Sequence, residues 1–276
     1  MDLRELSLLP NHQDFVTRFV TLCESDERVV AAFLGGSNAK GHADSFSDLD
    51  LCVITTDAAF DEFHEQSEVF LQSLGNLVFL EDFGNTDHVF YIFTDGTEGE
   101  LNFASEGHLD RIHSGGFVTL VDKKGVLADA AFPEKQGDAS RQLEELRSNI
   151  YGFWHEMSHF ITAIGRGKLW WARGQLGALR GICVNLARLK HDFLDGEAGD
   201  EPYFKIEYAM NVDALSALES TFCPMEREAM LKAAQVILQF YAETAQPLAQ
   251  AHKIPYPSDL AMVMLNRFNK LSVQMN

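Results

Sequence analysis

The first half of the chain alternates short apolar runs with polar, turn-forming segments. Apolar runs of this length, bounded by glycine, asparagine or aspartate, are typical of buried strands. They predict strands at residues 28–34, 51–54, 77–80, 88–93, 98–104 and 117–121. Apolar positions at helical spacing predict a helix from Pro10 to Cys23 and a second over 57–74 with Asp57 as its N-cap. We therefore expect a mixed α/β sheet covered by helices.

The pattern changes near Pro133. Residues 134–146 are polar and charged, and beyond them apolar residues recur at helical spacing. Helices are predicted over 137–164, 168–194, 210–222, 225–245 and 257–271. Helices joined by short connections pack as antiparallel neighbours, so this half is expected to be a helical bundle. The fold class is α+β, with one domain over 1–133 and a helical bundle domain over 134–276.

Composition and charge narrow the function. The 276 residues are 46% hydrophobic, enough for a packed core, and no apolar run is long enough to span a membrane. The first six residues lack the basic-then-apolar order of a secretory signal, so a cytoplasmic protein is expected. The formal net charge of -19 argues against a nucleic-acid partner, because phosphate contacts need lysine and arginine. It favours solubility and could attract a cationic small molecule.

Candidate chemistry is concentrated between Gly35 and Asp50. Asp48 and Asp50 are two residues apart at the start of a predicted strand, so both carboxylates leave the same face. Mg²⁺ in phosphoryl-transfer sites is held by one or two carboxylates together with substrate phosphates. Gly35, Gly36 and Ser37 form a turn whose backbone could approach a phosphate closely. The less specific interpretation of the two aspartates is a solvated turn before a strand.

Four short segments resemble the lincosamide nucleotidyltransferases, which are related to the aminoglycoside nucleotidyltransferases. All belong to the superfamily that includes DNA polymerase beta. The matching segments are Glu24-Ser-Asp-Glu-Arg28, Gly36-Ser-x-x-Lys-Gly41, Ser47-Asp-x-Asp50 and Gly99-Glu-x-x-Phe103. The match is dense over residues 20–106 and thinner around 166–173.

The resemblance implies a nucleotidyltransferase catalytic domain in residues 1–133. It implies transfer of a nucleoside monophosphate, most simply AMP from ATP, to a hydroxyl of a small molecule such as a lincosamide or aminoglycoside antibiotic. One or two Mg²⁺ ions would assist. Subunits of the family often pair, so a homodimer is the default expectation, although no residue specifies its interface.

The resemblance also assigns site residues. Asp48, Asp50 and Glu100 would be the metal ligands, with Glu100 as the base that activates the acceptor hydroxyl. Glu98 lies on the same face of its strand and remains a competitor. The nucleotide would be bound by Gly35, Gly36, Ser37, Lys40 and Arg173.

Arg173 follows Trp170 and Trp171 at the start of a predicted helix. Arginine suits bidentate phosphate contact, and a tryptophan could stack on a base or an acceptor ring. The alternatives are a solvated helix start for the cation and core packing for the two tryptophans.

Two other functions stay open from the sequence. The first is a non-catalytic nucleotide-binding module of the same fold, which retention of both aspartates and Glu100 disfavours. The second is a zinc hydrolase, because His155-Glu-Met-Ser-His159 matches the H-E-x-x-H pattern of metalloproteases. No further histidine or carboxylate follows until His191 and Asp192, so a nearby third ligand is missing from the sequence.

Overall fold

The computed structural model describes residues 8, 10–82, 84, 87–109, 112–134, 137–194 and 202–273. The chain separates into two compact units, Met1–Lys135 and Gln136–Asn276. The first six residues, from which a cytoplasmic location was expected, lie outside the described part. No described helix is both long enough and apolar enough to cross a membrane.

The first unit is built on a six-stranded mixed sheet, which confirms the predicted strands. Its spatial order is β3-β4-β5-β2-β1-β6. Among the neighbouring strands of the described residues, β2 and β5 run parallel and the other four pairs are antiparallel. The strands are β1 Val29–Leu34, β2 Leu49–Thr55, β3 Leu77–Glu81, β4 His88–Phe93, β5 Glu98–Ser105 and β6 Val118–Asp122.

The order of the strands follows from their composition. Every residue of β1 is buried, and β2 is buried except at Asp50, so these two apolar strands lie inside the sheet. A turn at Asp95-Gly96 joins β4 to β5, and Gly96 has φ +84°, which glycine adopts without strain. In this order β5 lies beside β2, and Glu100 is on the polar face of β5.

The helices of the first unit are α1 Pro10–Ser25, α2 Gly36–Ala39, α3 Phe60–Glu65 and α4 Ser67–Gln72. Of these, α1, α3 and α4 contribute to the buried cluster on one face of the sheet. Phe15 and Phe19 of α1 belong to the buried cluster that also contains Leu49 and Leu51 of β2, and Phe15 stacks on Tyr91 with ring centroids 5.9 Å apart. That cluster holds the face of β2 opposite to Asp50.

The single helix predicted over 57–74 is wrong in detail. A 3-10 turn at Asp57–Ala59 precedes α3, and the backbone bends at Gln66 before α4 begins. The Asp57 carboxylate does not cap the helix but accepts a hydrogen bond of 3.0 Å from the Gly107 amide, beyond the end of β5. A tertiary contact therefore replaced the local cap.

The second unit is helical. Its helices are α5 Ala139–Gly165, α6 Leu169–His191, α7 Ile206–Ala209, α8 Val212–Glu219, α9 Arg227–Ala251 and α10 Ser258–Val273. Phe153 of α5 stacks on Tyr241 of α9 at 3.6 Å between centroids, and the Tyr241 hydroxyl donates to the Ile150 carbonyl at 2.7 Å. The hydrogen bond gives the buried Tyr241 hydroxyl a partner inside the core.

Two helices in this unit depart most from their predicted bounds. The helix expected over 210–222 spans only Val212–Glu219, and the Asn211 side chain caps its start by accepting a hydrogen bond of 2.8 Å from the Ala214 amide. The helix expected to end at residue 245 continues to Ala251 and contains Pro247.

Candidate active site

The parallel pairing of β2 with β5 places two carboxylates side by side. In its register Asp50 is the direct partner of Glu100, and Cys52 is the partner of Asn102. Adjacent strands lie about 4.8 Å apart, and paired residues of parallel strands point to the same face. Asp48 precedes β2 by one residue. The pairing therefore brings two of the three predicted acidic residues into direct proximity.

The turn after β1, which contains Gly35 and Gly36, packs against Asp50. The Gly35 amide donates to the Asp50 carbonyl at 2.8 Å, which ties the turn after β1 to β2. Gly36 has φ +57°, and a β-carbon added there would be 1.6 Å from Oδ2 of Asp50. No side chain fits between this backbone and that carboxylate. Glycine is therefore required at position 36 by both its conformation and the approach of Asp50.

The position of Asp48 is fixed by the short helix α2. The Asn38 side-chain amide donates to the Asp48 carbonyl at 2.7 Å. Asn38 is buried, so this bond holds the residue just before β2 against the glycine turn. The same turn thus orders both aspartates through backbone contacts, which leaves their carboxylates available for other partners.

Three negative charges interact at this point. Burial, together with the nearby negative charges of Asp48 and Glu100, raises the pKa of Asp50 from 3.8 to about 6. A carboxylate in a poorly hydrated position beside like charges is hard to ionise without a cation. Such perturbed acids are characteristic of functional sites, although structural networks also produce them.

The predicted phosphate-binding residues lie around the same turn. Ser37 is partly buried, and its hydroxyl has no hydrogen-bond partner among the described residues. An unsatisfied buried hydroxyl is costly, so a partner from outside the chain is expected. Lys40 lies at the end of α2, with its amine 3.7 Å from a carboxylate oxygen of Glu134. Its side chain is 41% exposed, so the ion pair is weak.

Two histidines near the turn were not anticipated from the sequence. The His113 ring lies against Gly35, where an added β-carbon would be 2.6 Å from Cε1, and its Nε2 lies 3.1 Å from the Gly116 carbonyl. Burial lowers the pKa of His12, while Asn38 and Asp48 act in the opposite direction. Neither histidine lies in a recognisable motif, so only the fold brings them to this place.

Glu100 and its competitor Glu98 differ in exposure and in strand pairing. Glu98 is exposed, whereas Glu100 is partly buried and contributes to the raised pKa of Asp50. Glu98 precedes the first residue of β5 that pairs with β2, which is Gly99 opposite Leu49. Within the described ranges, no group of three or more histidine, cysteine, aspartate or glutamate side chains is arranged to hold a metal ion.

The remaining predicted residue, Arg173, lies on α6 in the second unit. Its Nη1 is buried and has no hydrogen-bond partner in the described part of the chain. Core packing of Trp170 and Trp171, one of the alternatives, is wrong, since these side chains are 82% and 39% exposed. Residues 166–171 line a surface cavity of about 510 Å³.

The H-E-x-x-H segment lies on α5 in the same unit. His155 and His159 face each other with their Nε2 atoms 3.2 Å apart. Among the described residues, no third histidine, cysteine or carboxylate joins these two histidines in a metal-binding group. The third protein ligand of a zinc hydrolase is therefore missing from the described part of the chain.

Comparison with known proteins identifies the family. A family model described as streptomycin adenylyltransferase matches residues 10–270. Among solved structures, the chain is similar to an aminoglycoside 6-adenyltransferase from Bacillus subtilis, with 13% sequence identity and a TM-score of 0.45 over 96% of this chain and 99% of that one. No curated protein matches. The resemblance to antibiotic-modifying nucleotidyltransferases is thus confirmed. The chain belongs to the streptomycin adenylyltransferase family and is an adenylyltransferase of the antibiotic-modifying type.

Proposed function

We propose that the protein transfers AMP from ATP to a hydroxyl of an aminoglycoside antibiotic of the streptomycin class in a magnesium-dependent reaction. The observation that carries this proposal is the register of β2 and β5. It sets Asp50 beside Glu100 above a glycine turn that has room for no side chain. The family supplies the reaction class, and the geometry supplies the residues that would perform it.

The donor set fits magnesium. Hard oxygen ligands are what Mg²⁺ prefers, and it is commonly held by only one or two carboxylates because substrate phosphates and water complete its shell. A full cage of protein ligands is therefore not required. The raised pKa of Asp50 is the structural support, because a buried acid beside Asp48 and Glu100 lacks compensating positive charge. Asp48 and Asp50 would hold the ion, with Glu100 as a third ligand or as base.

When bound, the ion would neutralise charge on the triphosphate and orient it for in-line displacement. Ser37 would donate its hydroxyl hydrogen to a phosphate oxygen, which explains why that hydroxyl lacks a partner within the described residues. Gly35 and Gly36 would let the backbone approach the phosphates. Glu100 would accept the proton of the acceptor hydroxyl as that oxygen attacks the α-phosphorus and pyrophosphate leaves.

One cation of the first unit is assigned a supporting role. Lys40 would exchange its exposed contact with Glu134 for a phosphate oxygen, since the loss of a weak surface ion pair is inexpensive. The nucleotide contact of Arg173 stays a prediction from the sequence.

The choice of acceptor rests on the family and on charge. The description of the family model names streptomycin, which is a cationic antibiotic. The chain itself has a net charge of -19. A negative field raises the local concentration of a cation and its rate of association. Lincosamides, the other acceptors expected from the sequence, serve as the alternative in the test.

The decisive experiment measures product directly. Purified protein is incubated with Mg²⁺, each nucleoside triphosphate in turn, and a panel that includes streptomycin, other aminoglycosides and lincomycin. Mass spectrometry should find a product heavier by one AMP moiety with ATP and streptomycin, with release of pyrophosphate. EDTA and Asp50→Asn should abolish it. A product only with lincomycin, or turnover that persists in EDTA, would refute the corresponding part of the proposal.

A further inference from the structure

The H-E-x-x-H segment on α5 has no role in the proposed reaction, and its geometry points to a separate site. We propose that His155 and His159 form a two-histidine chelate for a divalent transition metal of the Zn²⁺, Ni²⁺ or Cu²⁺ type, with Glu156 as an outer partner of His155. The proposal concerns binding of the metal and does not depend on the adenylyltransferase reaction.

The spacing of the two rings matches a shared ion. Their Nε2 atoms are 3.2 Å apart. With metal–nitrogen bonds of about 2.05 Å, that separation corresponds to an angle of roughly 103° at the ion, close to the tetrahedral value that zinc adopts. The i, i+4 spacing on one helix keeps both rings on the same side. The α5 backbone therefore already presents both ligands at the required separation.

Only a small adjustment would complete the chelate. The ring centroids are 4.5 Å apart, whereas two imidazoles that share an ion at these bond lengths stand about 5 Å apart. The side chain of His155 is 69% exposed, so its ring can rotate by this amount without moving the core. The His159 ring is held more firmly, because its centroid lies 5.8 Å from that of the Trp171 ring.

The protonation pattern also favours a metal. Nδ1 of His155 lies 3.2 Å from Oε1 of Glu156, so its hydrogen is donated to that carboxylate and Nε2 keeps its lone pair. This is the carboxylate–histidine arrangement that orients imidazole ligands in metal sites. In the metal-free chain, His159 donates from its Nε2 to that lone pair. On metal binding, the hydrogen of His159 would move through water from Nε2 to Nδ1, so that both rings stay neutral and both Nε2 lone pairs reach the ion.

The rest of the coordination shell would come from water. Only two protein ligands are present, in keeping with the absence of a three-ligand group in the described residues. Imidazole nitrogen suits Zn²⁺, Ni²⁺ and Cu²⁺, and Mg²⁺ prefers oxygen ligands. The site is therefore chemically distinct from the carboxylates of the first unit and selects a different class of ion.

The test is metal binding by protein purified without a polyhistidine tag and stripped with EDTA. Calorimetric titration should show one tightly bound Zn²⁺, with Cu²⁺ tighter and Mg²⁺ not competing. Bound Cu²⁺ should also quench tryptophan fluorescence, since Trp171 is beside His159. His155→Ala and His159→Ala should each weaken binding at least tenfold, and Glu156→Gln roughly tenfold, the usual effect of losing an outer partner.

The matched control is His191→Ala, which removes an exposed histidine from the end of α6. This variant should bind zinc as the unchanged protein does. Circular dichroism establishes that each variant remains folded. Unchanged zinc affinity in both His155→Ala and His159→Ala, or no zinc bound by the unchanged protein at submillimolar concentration, would overturn the proposal.

Discussion

Replacing Asp50 by asparagine should abolish transfer and yet make the metal-free protein more stable. Asparagine is close to aspartate in shape, and no side-chain hydrogen bond of Asp50 would be lost among the bonds described. The change removes one charge from a partly buried position beside Asp48 and Glu100. A residue that the fold holds at an energetic cost is expected where function requires it.

The size of the effect follows from the shift in pKa. Asp50 has a pKa of about 6 in the folded chain, against the reference value of 3.8. That difference corresponds to about 3 kcal/mol at most, since one pKa unit is about 1.4 kcal/mol, and residual solvation reduces it to roughly 1–3 kcal/mol. For a protein of this size, such a gain raises the melting temperature by roughly 3–10 °C.

The dependence on pH has a definite sign. Between pH 4 and pH 6, the folded chain keeps a proton on Asp50 that the unfolded chain has released. The contribution of Asp50 to the free energy of unfolding therefore falls as pH rises from about 4 to about 6. Asparagine does not titrate. The stability advantage of Asp50→Asn should therefore be close to zero at pH 4, grow through that interval, and remain constant above pH 7.

The assay is thermal unfolding in EDTA over a series of pH values. All three tryptophans, Trp154, Trp170 and Trp171, lie in the second unit, so their fluorescence reports mainly on that unit. Calorimetry or far-ultraviolet circular dichroism must follow the sheet. Glu98→Gln is the matched control, because it removes an exposed carboxylate from the neighbouring strand β5 and should change stability by less than about 0.5 kcal/mol.

The electrostatic account of the site would be refuted by either of two results. Asp50→Asn could be less stable than the unchanged protein at pH 7.5, or its gain could be the same at every pH. In each case Asp50 would not be a carboxylate that is strained by burial and neighbouring charges, and the main support for a cation at that position would be lost.

Three further predictions test the same site. Gly36→Ala should lower activity and stability far more than Gly41→Ala. Both glycines have positive φ, but of the two only position 36 would bring an added β-carbon against Asp50. Equal effects of the two substitutions would contradict this account. Glu100→Gln should lower kcat by about 10²–10⁴-fold if it is the general base, whereas Glu98→Gln should leave kcat within about threefold, as steady-state kinetics can determine. Mg²⁺ should raise the melting temperature of the unchanged protein but not that of Asp50→Asn, and equal shifts would exclude Asp50 as a ligand.

Local patterns were enough for most elements of the fold. All six strands were predicted from apolar runs, because the interior of a sheet needs contiguous apolar residues wherever they occur in the chain. Errors arose where a side chain had a choice of partner. Asp57 contacts Gly107 rather than its own helix, and Asn211 starts a helix inside a longer apolar pattern. Periodicity contains no information about such competing bonds.

The sequence by itself indicated the reaction class through its resemblance to a known family, because the glycine turn and the aspartate pair that carry the resemblance are short local segments. The sequence preferred Glu100 to Glu98 by resemblance alone. The tertiary structure added a physical reason, the register between β2 and β5, two strands far apart in the chain. The raised pKa of Asp50 and the approach of His113 to Gly35 are likewise properties of that packing. Burial and charge proximity exist only after the chain has folded, so no pattern along the sequence could specify them.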